Sequence, residues 1–543
     1  MTARLLVCRG ISELDEARVF LGHDLEGLID PFQMKDMDRA VAAVDAALAR
    51  GARIRIYGDY DVDGVCATAL LVRALKGLGG QVDSYIPHRI DEGYGVNEEA
   101  VRQARAEGVD LLITVDCGST AVEPIALARE LGMEVVVTDH HRPGDELLEA
   151  PVLNPCRDDC GYPFKHLAGV GVAFKLVAGL ARARGVPEGD ELRFLDLVCL
   201  GTVGDVVPLL GENRLFVQHG LRRLATSRKV GIRELMRAAG VSRERPVKAR
   251  DVAFALAPRI NAAGRMEDAE AAVRLMLTGD RGEAEALATQ LSEQNNARRA
   301  EERKTLKEAE AMVASGVDLD REKVIVLGSD GWHAGVIGIV ASRLVERHHR
   351  PCLLVAIADG IGKGSGRSVS AFNLWEALRE CASSLTRFGG HRYAAGFGIE
   401  ATRIEELRRR INEVAEERLS ADDLVRQIEI DAEVALEDLT LEAVEELNRL
   451  APFGMGNPTP MLVARGVRVD AVRPVGDGSH LSLKLRGESG GDVGGIWFRS
   501  GALREELESG GRTDVCFRAR VDEWNGTVRV QLHVEDVALW DGE

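Results

Sequence analysis

The sequence predicts an α/β protein in which a parallel-sheet domain is joined by a long helix to a smaller α/β domain, with a small β-barrel after them. From about residue 50 to 210, short apolar runs alternate with helix-patterned segments, which is typical of a parallel sheet with crossover helices. A segment rich in Ala, Glu, Arg and Gln between Gly279 and Gly316 predicts the long helix. From about Gln427, alternating apolar and polar residues predict short antiparallel strands and the barrel.

The predicted strands of the first domain are Arg53 to Tyr57, Leu111 to Val115, Glu134 to Thr138 and Pro151 to Leu153. The first three lead into Asp or His. The second α/β domain has strand signals at Lys323 to Leu327 and Cys352 to Ile357, and glycine-rich loops are predicted at Gly360 to Gly366 and Gly389 to Gly398. Barrel turns are predicted at Asp477-Gly478 and Asn525-Gly526. The predicted domains are residues 1–278, a connecting helix at 279–318, residues 319–420 and residues 427–543.

The composition excludes several classes of protein. The chain is 45% hydrophobic and 29% charged, as ordinary globular proteins are. No stretch approaches the roughly 18 apolar residues of a membrane helix, and the N-terminus lacks a signal core, so we expect a cytoplasmic protein without membrane contact. Nine scattered cysteines, of which Cys156 and Cys160 lie closest in sequence, indicate reduced thiols rather than a zinc site.

The net charge of -18 counts against a protein coated in basic surface, which is the simplest signature of nucleic-acid binding. Two effects would reconcile this charge with a nucleic-acid substrate. Clustered carboxylates are partly neutralised when they bind divalent metal, and basic residues can segregate into a groove on an acidic protein. The charge alone therefore leaves nucleic-acid binding open.

Three alternate carboxylates, Asp59, Asp61 and Asp63, lie directly after an apolar strand and directly before a helix. Carboxylates packed this closely repel one another unless a cation binds them. An EF-hand calcium loop begins with the same spacing, but its last ligand position needs a bidentate Glu and is occupied here by Leu70. A solvated acidic turn stays an alternative for this motif taken alone.

Other predicted strands also lead into candidate ligands. Asp116 ends the strand of LLITVDCG, and the Asp139-His140-His141 run ends that of EVVVTDHH, so these residues share the edge at which open parallel sheets bind ligands. Asp205 lies in the apolar segment LDLVCLGTVGDVVPL, where an ionised carboxylate is costly unless it is paired or metal-bound. The predicted metal ligands are Asp59, Asp61, Asp63, Asp116, His140 and Asp205.

The ligand types indicate the metal and the reaction. Carboxylates with one or two imidazoles and no thiolate suit Mn²⁺ or Mg²⁺ better than a structural zinc. Six candidate ligands are enough for two ions, and two ions about 3.5 to 4 Å apart can activate a water and stabilise the leaving oxygen of a displacement at phosphorus. The residues therefore favour phosphate-ester hydrolysis.

The motifs GDYDVDG, VDCG, TDHH and GTVGDVVPL, in this order, resemble the DHH phosphoesterase superfamily and, within it, the RecJ family of bacterial single-strand-specific exonucleases. The stretches DPFQMKDMDRAV, APRINAAGRM, GGHRYAAGFG and LAPFGMGNPTP are similar to the same family, so the resemblance covers nearly the whole chain. It implies a DHH domain, a DHHA1-type substrate domain, an OB-type barrel and a single-stranded DNA substrate. It also implies a 5′-to-3′ direction, which the residues alone do not give, and a role in DNA repair and recombination.

The resemblance also implies roles for individual residues. Five of the predicted ligands are similar to the family's metal ligands, with Asp59 close to a second ion and Asp116 between the two ions. His141 would lie beside the scissile phosphate, and the predicted catalytic residues are Asp116, His141 and Arg265.

Guanidinium groups and glycine-rich backbone suit the phosphates of a substrate. The predicted substrate-binding residues are Arg259, Asn261, Arg265, Arg367, Ser368, Gly389, Gly390 and His391. An ion pair stays an alternative for each of Arg259 and Arg265, and a structural role for His391. Trp497, Phe498 and Trp524 are candidates for stacking on bases, with the barrel core as an equal alternative.

Two other functions stay open on these residues. A DHH phosphodiesterase for short oligonucleotides or cyclic dinucleotides would not need the barrel, and the final hundred or so residues argue against it. A replication-associated binding protein of the same fold would have lost catalysis, yet every expected ligand position is filled here. For the nuclease, we expect a single-strand-binding protein and a helicase as protein partners.

Overall fold

A computed structural model describes residues 1–88, 92–93, 95–146, 148–266, 268–488, 490–508, 511–524 and 526–539. The chain forms two compact units, one made of Met1–Pro87, Tyr94–Ala257 and Ile428–Glu543, and the other of His88–Gly93 and Pro258–Gln427. The α/β class with a C-terminal barrel is confirmed, whereas the four domain boundaries stay a prediction. Over the described residues, the structure has no helix that is both long and apolar enough to cross a membrane.

The first unit is built around a parallel sheet with helices between its strands. Its elements up to residue 256 are α1 (Thr2–Cys8), α2 (Leu14–Leu21), α3 (Met37–Ala49), β1 (Arg53–Gly58), α4 (Val62–Gly77), β2 (Gln81–Tyr85), α5 (Glu98–Ala106), β3 (Leu111–Val115), α6 (Val122–Glu130), β4 (Glu134–Thr138), β5 (Val152–Leu153), α7 (Gly169–Ala183), α8 (Leu195–Gly204), α9 (Gly211–Thr226), α10 (Val230–Ala238), α11 (Ala249–Asp251) and a π-helical turn (Val252–Leu256).

The sheet has the order β2-β1-β3-β4-β5, and every neighbouring pair of strands is parallel. The predicted strands are present at β1, β3, β4 and β5. Sequence reasoning missed β2, because this edge strand has a single buried apolar side chain, Val82, and so shows no apolar run. Since the strands are parallel, the residues after β1, β3 and β4 meet at one edge.

The second unit contains the long helix and a mixed sheet. Its elements, with the helix that leads into it, are α12 (Ala257–Met266), α13 (Glu270–Leu277), α14 (Arg281–Gly316), β6 (Ile325–Ser329), α15 (Ile337–His348), β7 (Cys352–Ala358), β8 (Ile361–Arg367), α16 (Leu374–Glu380), β9 (Arg387–Gly390), β10 (Ala394–Glu400) and α17 (Ile404–Arg418). The strand order is β6-β7-β8-β10-β9, with β6 and β7 parallel and the other pairs antiparallel. The long helix α14 begins and ends close to the limits that the sequence predicts.

The prediction of two glycine-rich loops is wrong. Gly360 to Gly366 largely forms β8, and most of Gly389 to Gly398 belongs to the end of β9 and to β10. The glycines make room for neighbours rather than turning the chain. A Cβ atom on Gly364 would lie 2.2 Å from ring atoms of Phe397 on the paired strand β10. Glycine in a sequence usually indicates a turn, so strands that contain glycine for close packing were not predicted here.

The C-terminal part of the first unit is a closed barrel. Its elements are β11 (Ala432–Glu433), α18 (Leu441–Leu447), β12 (Leu462–Val475), β13 (His480–Arg486), β14 (Asp492–Trp497), α19 (Arg504–Glu508), β15 (Arg512–Trp524) and β16 (Thr527–Leu539). The barrel closes because β12 pairs with both β13 and β15. Gly478 has a φ of +90° in the predicted turn between β12 and β13, while Asn525 of the other predicted turn lies outside the described residues.

The barrel core is shared with the N-terminus of the chain. Leu5, Leu6 and Phe20, from α1 and α2, belong to the same buried cluster as the inward side chains of the barrel strands. Trp497 is part of this core and only 8% exposed, so the core alternative is correct for it. Phe498, the next residue, is 50% exposed, and the side chain of Trp524 lies outside the described part of the chain.

Candidate metal centre

The first carboxylates of the site are held by the turn from β1 into α4. Asp61 is the residue before α4 and accepts hydrogen bonds from the N–H groups of Asp63 and Gly64, at 2.8 and 3.2 Å. This cap satisfies backbone groups that a helix leaves unpaired at its start. Leu70 is buried within α4, and the motif follows a strand, so the site is not an EF-hand. Asp63 lies in the first turn of the helix with its side chain fully buried.

The start of α7 completes the surroundings of Asp63 and Asp116. The N–H groups of Gly169 and Val170 donate to the two carboxylate oxygens of Asp63, at 2.6 and 3.0 Å. A Cβ atom on Gly169 would lie 2.6 Å from Oδ1 of Asp116, so only glycine lets the helix start approach this closely. Asp116 itself has a φ of +61°, a conformation that non-glycine residues seldom adopt and that clusters at functional sites.

His140 lies at the centre of the carboxylates. Its Nε2 atom is 3.1 Å from Asp116 Oδ1, 3.6 Å from Asp205 Oδ2 and 4.0 Å from Asp63 Oδ2. Ligand atoms lie within 4.8 Å of one another in three groups that share members: Asp63, His140 and Asp205; Asp59, Asp61 and Asp116; and Asp116, His140 and His141. The structure therefore brings together all six predicted ligands and His141.

These buried carboxylates repel one another when they are ionised. Burial, with the charge of Asp61, raises the pKa of Asp63 to about 7. Burial and the charges of Asp63 and Asp61 raise the pKa of Asp205 to about 9, and burial with four neighbouring carboxylates raises the pKa of Asp116 well above its usual range. Burial lowers the pKa of His140 to about 4, so its imidazole is neutral and can act as a ligand.

This arrangement fits one or more divalent cations. Carboxylates that are costly to ionise side by side become favourable when a cation binds between them. The donor set is oxygen with neutral imidazole and no thiolate, which matches the preferences of Mn²⁺ and Mg²⁺. The nine cysteines are free thiols, and those beside the site, Cys66 and Cys117, are buried with pKa values raised by burial.

Asp139 lies within the site, although the residues predicted from the sequence do not include it. Its Oδ1 atom is 2.8 Å from Nδ1 of His141, and the N–H groups of His140, His141 and Ser119 also donate to its carboxylate. Burial alone would raise the pKa of Asp139, but the hydrogen bond and charge of His141 lower it to about 2. In turn Asp139 raises the pKa of His141 against the effect of burial. The signal was present in TDHH, since a carboxylate beside a functional imidazole commonly orients it.

A loop that leads into the barrel holds the segment after Asp205. Val206 has a φ of +64°, which is strained for a β-branched residue. The N–H group of Leu209 donates to the carbonyl of Met455, at 2.8 Å. Asn457, which is fully buried, donates to the carbonyls of Leu450 and Pro452 and so shapes this loop. The stretch LAPFGMGNPTP therefore supports the backbone next to a candidate ligand.

The predicted substrate-binding residues all belong to the second unit. Arg265 donates to the carbonyl of Gly335, at 3.2 Å, and Arg367 donates to that of Gly366, at 2.7 Å. A Cβ atom on Gly338 would lie 3.0 Å from a guanidinium nitrogen of Arg367. Both arginines thus lie against the short segment Gly335–Gly338 at the start of α15, which sequence reasoning missed although glycines before a helix are a typical anion-site signal.

The other predicted residues of the second unit are not part of that pair. Arg259 donates to Oγ of Ser292 on the long helix, and Asn261 is half-buried on α12. Ser368 donates to the carbonyl of Phe372, whereas His391 is exposed between β9 and β10. Gly389 and Gly390 form the end of β9 rather than a loop. The binding roles of these residues stay a prediction.

Comparison with known proteins places this fold and site. Three family models match the chain: the DHH family, N-terminal domain, at residues 53–202, the DHHA1 domain at 321–417 and the RecJ OB domain at 430–536. The single-stranded-DNA-specific exonuclease RecJ of Bacillus subtilis (strain 168) is 41% identical over 99% of this chain and 68% of that protein, and the RecJ of Dickeya dadantii (strain 3937) is 38% identical over 99% and 95%.

The solved structures agree with the sequence comparisons. The crystal structure of RecJ from Thermus thermophilus in complex with Mn²⁺ matches with a TM-score of 0.85 and 35% identity, covering 99% of this chain and 76% of that chain. The structure of the same protein in complex with Mg²⁺ matches with a TM-score of 0.79 and 33% identity, covering 98% of this chain and 74% of that chain.

A parallel sheet whose edge gathers buried aspartates around a neutral histidine, followed by DHHA1 and OB regions, defines a metal-dependent DHH phosphoesterase. Within that class, the chain belongs to the RecJ family of single-stranded-DNA-specific exonucleases. The predictions of family, of enzyme class and of Mn²⁺ or Mg²⁺ as the metal are confirmed.

Proposed function

We propose that this chain degrades single-stranded DNA from the 5′ end by metal-dependent hydrolysis of phosphodiester bonds. The observation that carries the proposal is the convergence of Asp63, Asp116 and Asp205 on His140, whose Nε2 atom lies 3.1 to 4.0 Å from a carboxylate oxygen of each. The family relationship over nearly the whole chain supports single-stranded DNA as the substrate. The 5′-to-3′ direction rests on the family alone.

Two ions would be held by two of the three groups of ligands. Asp63, His140 and Asp205 form one group, and Asp59, Asp61 and Asp116 form the other. Asp116 lies 3.1 Å from His140 as well, which supports it as the ligand shared by both ions. Bound there, the ions would activate a water and stabilise the leaving oxygen.

The remaining side chains of the site would bind the phosphates of the substrate or orient the groups that do so. His141 is fixed by Asp139 at Nδ1, and its raised pKa favours an imidazolium that can donate to a phosphate oxygen. Arg265 and Arg367 lie against the same helix start, and their guanidinium groups suit the phosphates of the strand. The first unit would thus hydrolyse the phosphodiester bond, and the second would bind the strand.

The same proposal covers the cellular setting. The chain would act in DNA repair and recombination in the cytoplasm, where a helicase would supply single strands and a single-strand-binding protein would coat them. The barrel, which matches the RecJ OB domain, favours a polymer over the cyclic dinucleotide of the rival function.

Digestion of end-labelled strands tests the proposal directly. The purified chain is given Mn²⁺ and single strands labelled at the 5′ or the 3′ end, with duplex DNA, RNA and a cyclic dinucleotide as competitors for activity. We expect immediate release of the 5′ label as mononucleotide and slow loss of the 3′ label. Binding without hydrolysis would indicate the inactive binding protein instead, and preferential cleavage of the cyclic dinucleotide would indicate the phosphodiesterase.

A further inference from the structure

The first turn of α9 buries three consecutive polar side chains. Glu212, Asn213 and Arg214 are 2%, 0% and 2% exposed. Burying a polar group costs free energy unless the group finds hydrogen-bond partners inside the protein. The partners of these three side chains therefore indicate which segments of the chain this helix start holds together.

The two outer residues of the three anchor the helix start to its surroundings. Glu212 accepts a hydrogen bond from the N–H group of Ile29, at 2.9 Å, and pairs with the buried Lys175 of α7. Arg214 donates to three carbonyl groups, those of Phe20, Leu450 and Ala451, at 2.8, 2.9 and 2.8 Å. The position of Asn213 between them is thus fixed from both sides.

The amide of Asn213 joins two segments that lead to candidate metal ligands. Its Nδ2 atom donates to the carbonyl of Pro208, at 3.0 Å, and to that of His166. Pro208 lies three residues after Asp205, and His166 begins the segment 166–170, which leads into α7. A single NH₂ group therefore connects the segment that follows one ligand with a segment from another part of the chain.

The segment 166–170 contacts two further candidate ligands through its backbone. Burial lowers the pKa of His140 to about 4, while the hydrogen bond of His140 to the backbone of Leu167 acts in the opposite direction. A bond that favours the protonated ring is one in which the ring N–H group donates to the carbonyl. Nε2 of His140 lies 3.1 Å from Asp116, so Nδ1 is the donor and the lone pair of Nε2 is left for a cation. At its far end the same segment donates its N–H groups to Asp63.

The segment on the other side of Asn213 includes strained backbone. Val206 follows Asp205 directly and has a φ of +64°, which is costly for a β-branched residue. Such a conformation persists only where the surrounding structure fixes it. Asn213 supplies one restraint at the carbonyl of Pro208, and the carbonyl of Met455 supplies another by accepting from the next N–H group along the chain. Loss of the amide would therefore let this segment relax and move the Asp205 carboxylate.

We propose that Asn213 is a positioning residue of the metal centre. Its amide holds the two segments in place and so sets the affinity of one ion, the one bound by the ligand group that contains His140 and Asp205. The group that contains Asp59 and Asp61 begins in the turn after β1 and should depend on Asn213 much less. The inference rests on the proposed function, because the assignment of the two ions to these groups is made there.

Titration of the metal-free full chain with Mn²⁺, with the free ion measured by electron paramagnetic resonance, tests the proposal. Asn213→Ala removes both hydrogen bonds. Asn213→Asp keeps the volume of the side chain, and its carboxyl, which burial would keep protonated, can donate to only one of the two carbonyls. The matched control is Gln218→Ala, which removes a buried amide of the same helix that forms no hydrogen bond with any described residue. Thermal unfolding reports the stability of each variant separately.

We expect Asn213→Ala to raise the Kd of one of the two Mn²⁺ ions about tenfold, because groups that support a metal ligand typically change metal affinity by about 10- to 100-fold. Asn213→Asp should raise it by a smaller factor, and the Kd of the other ion should stay as in the wild type. Gln218→Ala should lower the Tm and leave both Kd values unchanged. Release of a 5′ label by the Asn213 variants should fall at low Mn²⁺ and recover at high Mn²⁺, with an unchanged KM for the strand.

Unchanged Kd values for both ions in the Asn213 variants would overturn the positioning role, and so would an equal change in Gln218→Ala. If Asn213→Ala does not fold, the comparison of Asn213→Asp with the wild type decides between these outcomes. A wild-type chain that binds Mn²⁺ but does not hydrolyse single strands would contradict the proposed function and leave the comparison of Kd values valid. The two failures are therefore distinguishable in one set of proteins.

Discussion

The carboxylate cluster of the metal centre and the basic segment of residues 222–251, which has ten Lys and Arg and three Asp and Glu, both gather charges of one sign, but they differ in burial. Asp63 and Asp116 are almost fully buried, and their pKa values rise because ionisation is costly there. Arg233 and Arg250 are exposed, and water and salt screen their repulsion. A buried cluster therefore depends on every member and on a bound cation, whereas an exposed cluster acts through many small and separable contributions.

The largest effect should come from the carboxylate shared between ligand groups. Asp116→Asn is expected to lower hydrolysis of single strands by at least about 10³-fold, because the ions supply several kcal/mol of charge stabilisation. Release of a 5′ label in Mn²⁺ measures this loss. The control is Asp110→Asn, at the residue that precedes the start of β3, and this variant should retain activity. An active Asp116→Asn protein would remove Asp116 from the metal centre.

A smaller loss is expected from the residue that orients His141. Asp139→Asn should lower activity about 10- to 100-fold, since partners that orient functional imidazoles typically contribute this much. The nearby exposed Asp145→Asn should have no effect. Isothermal titration with Mn²⁺ should show a smaller change than kcat does, because Asp139 contacts the imidazole of His141 but reaches the ligand His140 only through its backbone N–H group. Equal activity of the two variants would contradict this positioning role.

The buried cluster also predicts a pH dependence of metal binding. In the folded chain without metal, Asp63 and Asp205 have pKa values of about 7 and 9 and keep their protons up to those pH values. In the unfolded chain the same carboxyl groups lose their protons at the ordinary carboxyl pKa, at about pH 4. Its stability therefore falls as pH rises from about 4 to about 9. Because metal must displace these protons, Mg²⁺ affinity should rise about tenfold per pH unit between pH 7 and 9.

Thermal unfolding of the EDTA-treated protein, repeated across Mg²⁺ concentrations at several pH values, measures this effect. The Tm without metal should fall with rising pH, and the rise in Tm on adding Mg²⁺ should grow. An affinity for Mg²⁺ that stays constant from pH 7 to 9 would contradict the raised pKa values of the cluster.

The smallest effect, on the binding of single strands, is expected from an exposed aromatic ring of the barrel. Phe498→Ala should weaken the binding of a long single strand by about fivefold, as expected for the loss of one stacked base. Val528→Ala, an equally exposed apolar position on the same barrel, should change nothing. Fluorescence anisotropy of labelled oligothymidylate gives both values. A loss as large as that of Asp116→Asn would show that the exposed rings are not separable contributions.

Several features of the fold and the site could be predicted from single segments. β1, β3 and β4 end where their apolar runs end, so the positions of Asp59, Asp116 and His140 at the sheet edge followed from the sequence. Their convergence was predictable because parallel strands share an edge. The length of α14 followed from its helix-forming composition. In contrast, β8 and β10 contain many glycines, and their pairing is visible only when Phe397 fills the space above Gly364.

The types and the order of the site residues follow from the amino-acid sequence: carboxylates and imidazoles after apolar strands, in motifs that identify the family. The neighbours that set the properties of these residues follow from the packing of separate segments. Asp139 holds His141, the start of α7 donates to Asp63, and the charge of Arg250 helps to lower the pKa of Arg520 in the barrel. These relations join residues far apart in the chain or depend on side-chain direction. Local periodicity reports burial and backbone conformation, whereas contacts of this kind arise only when separate segments pack together.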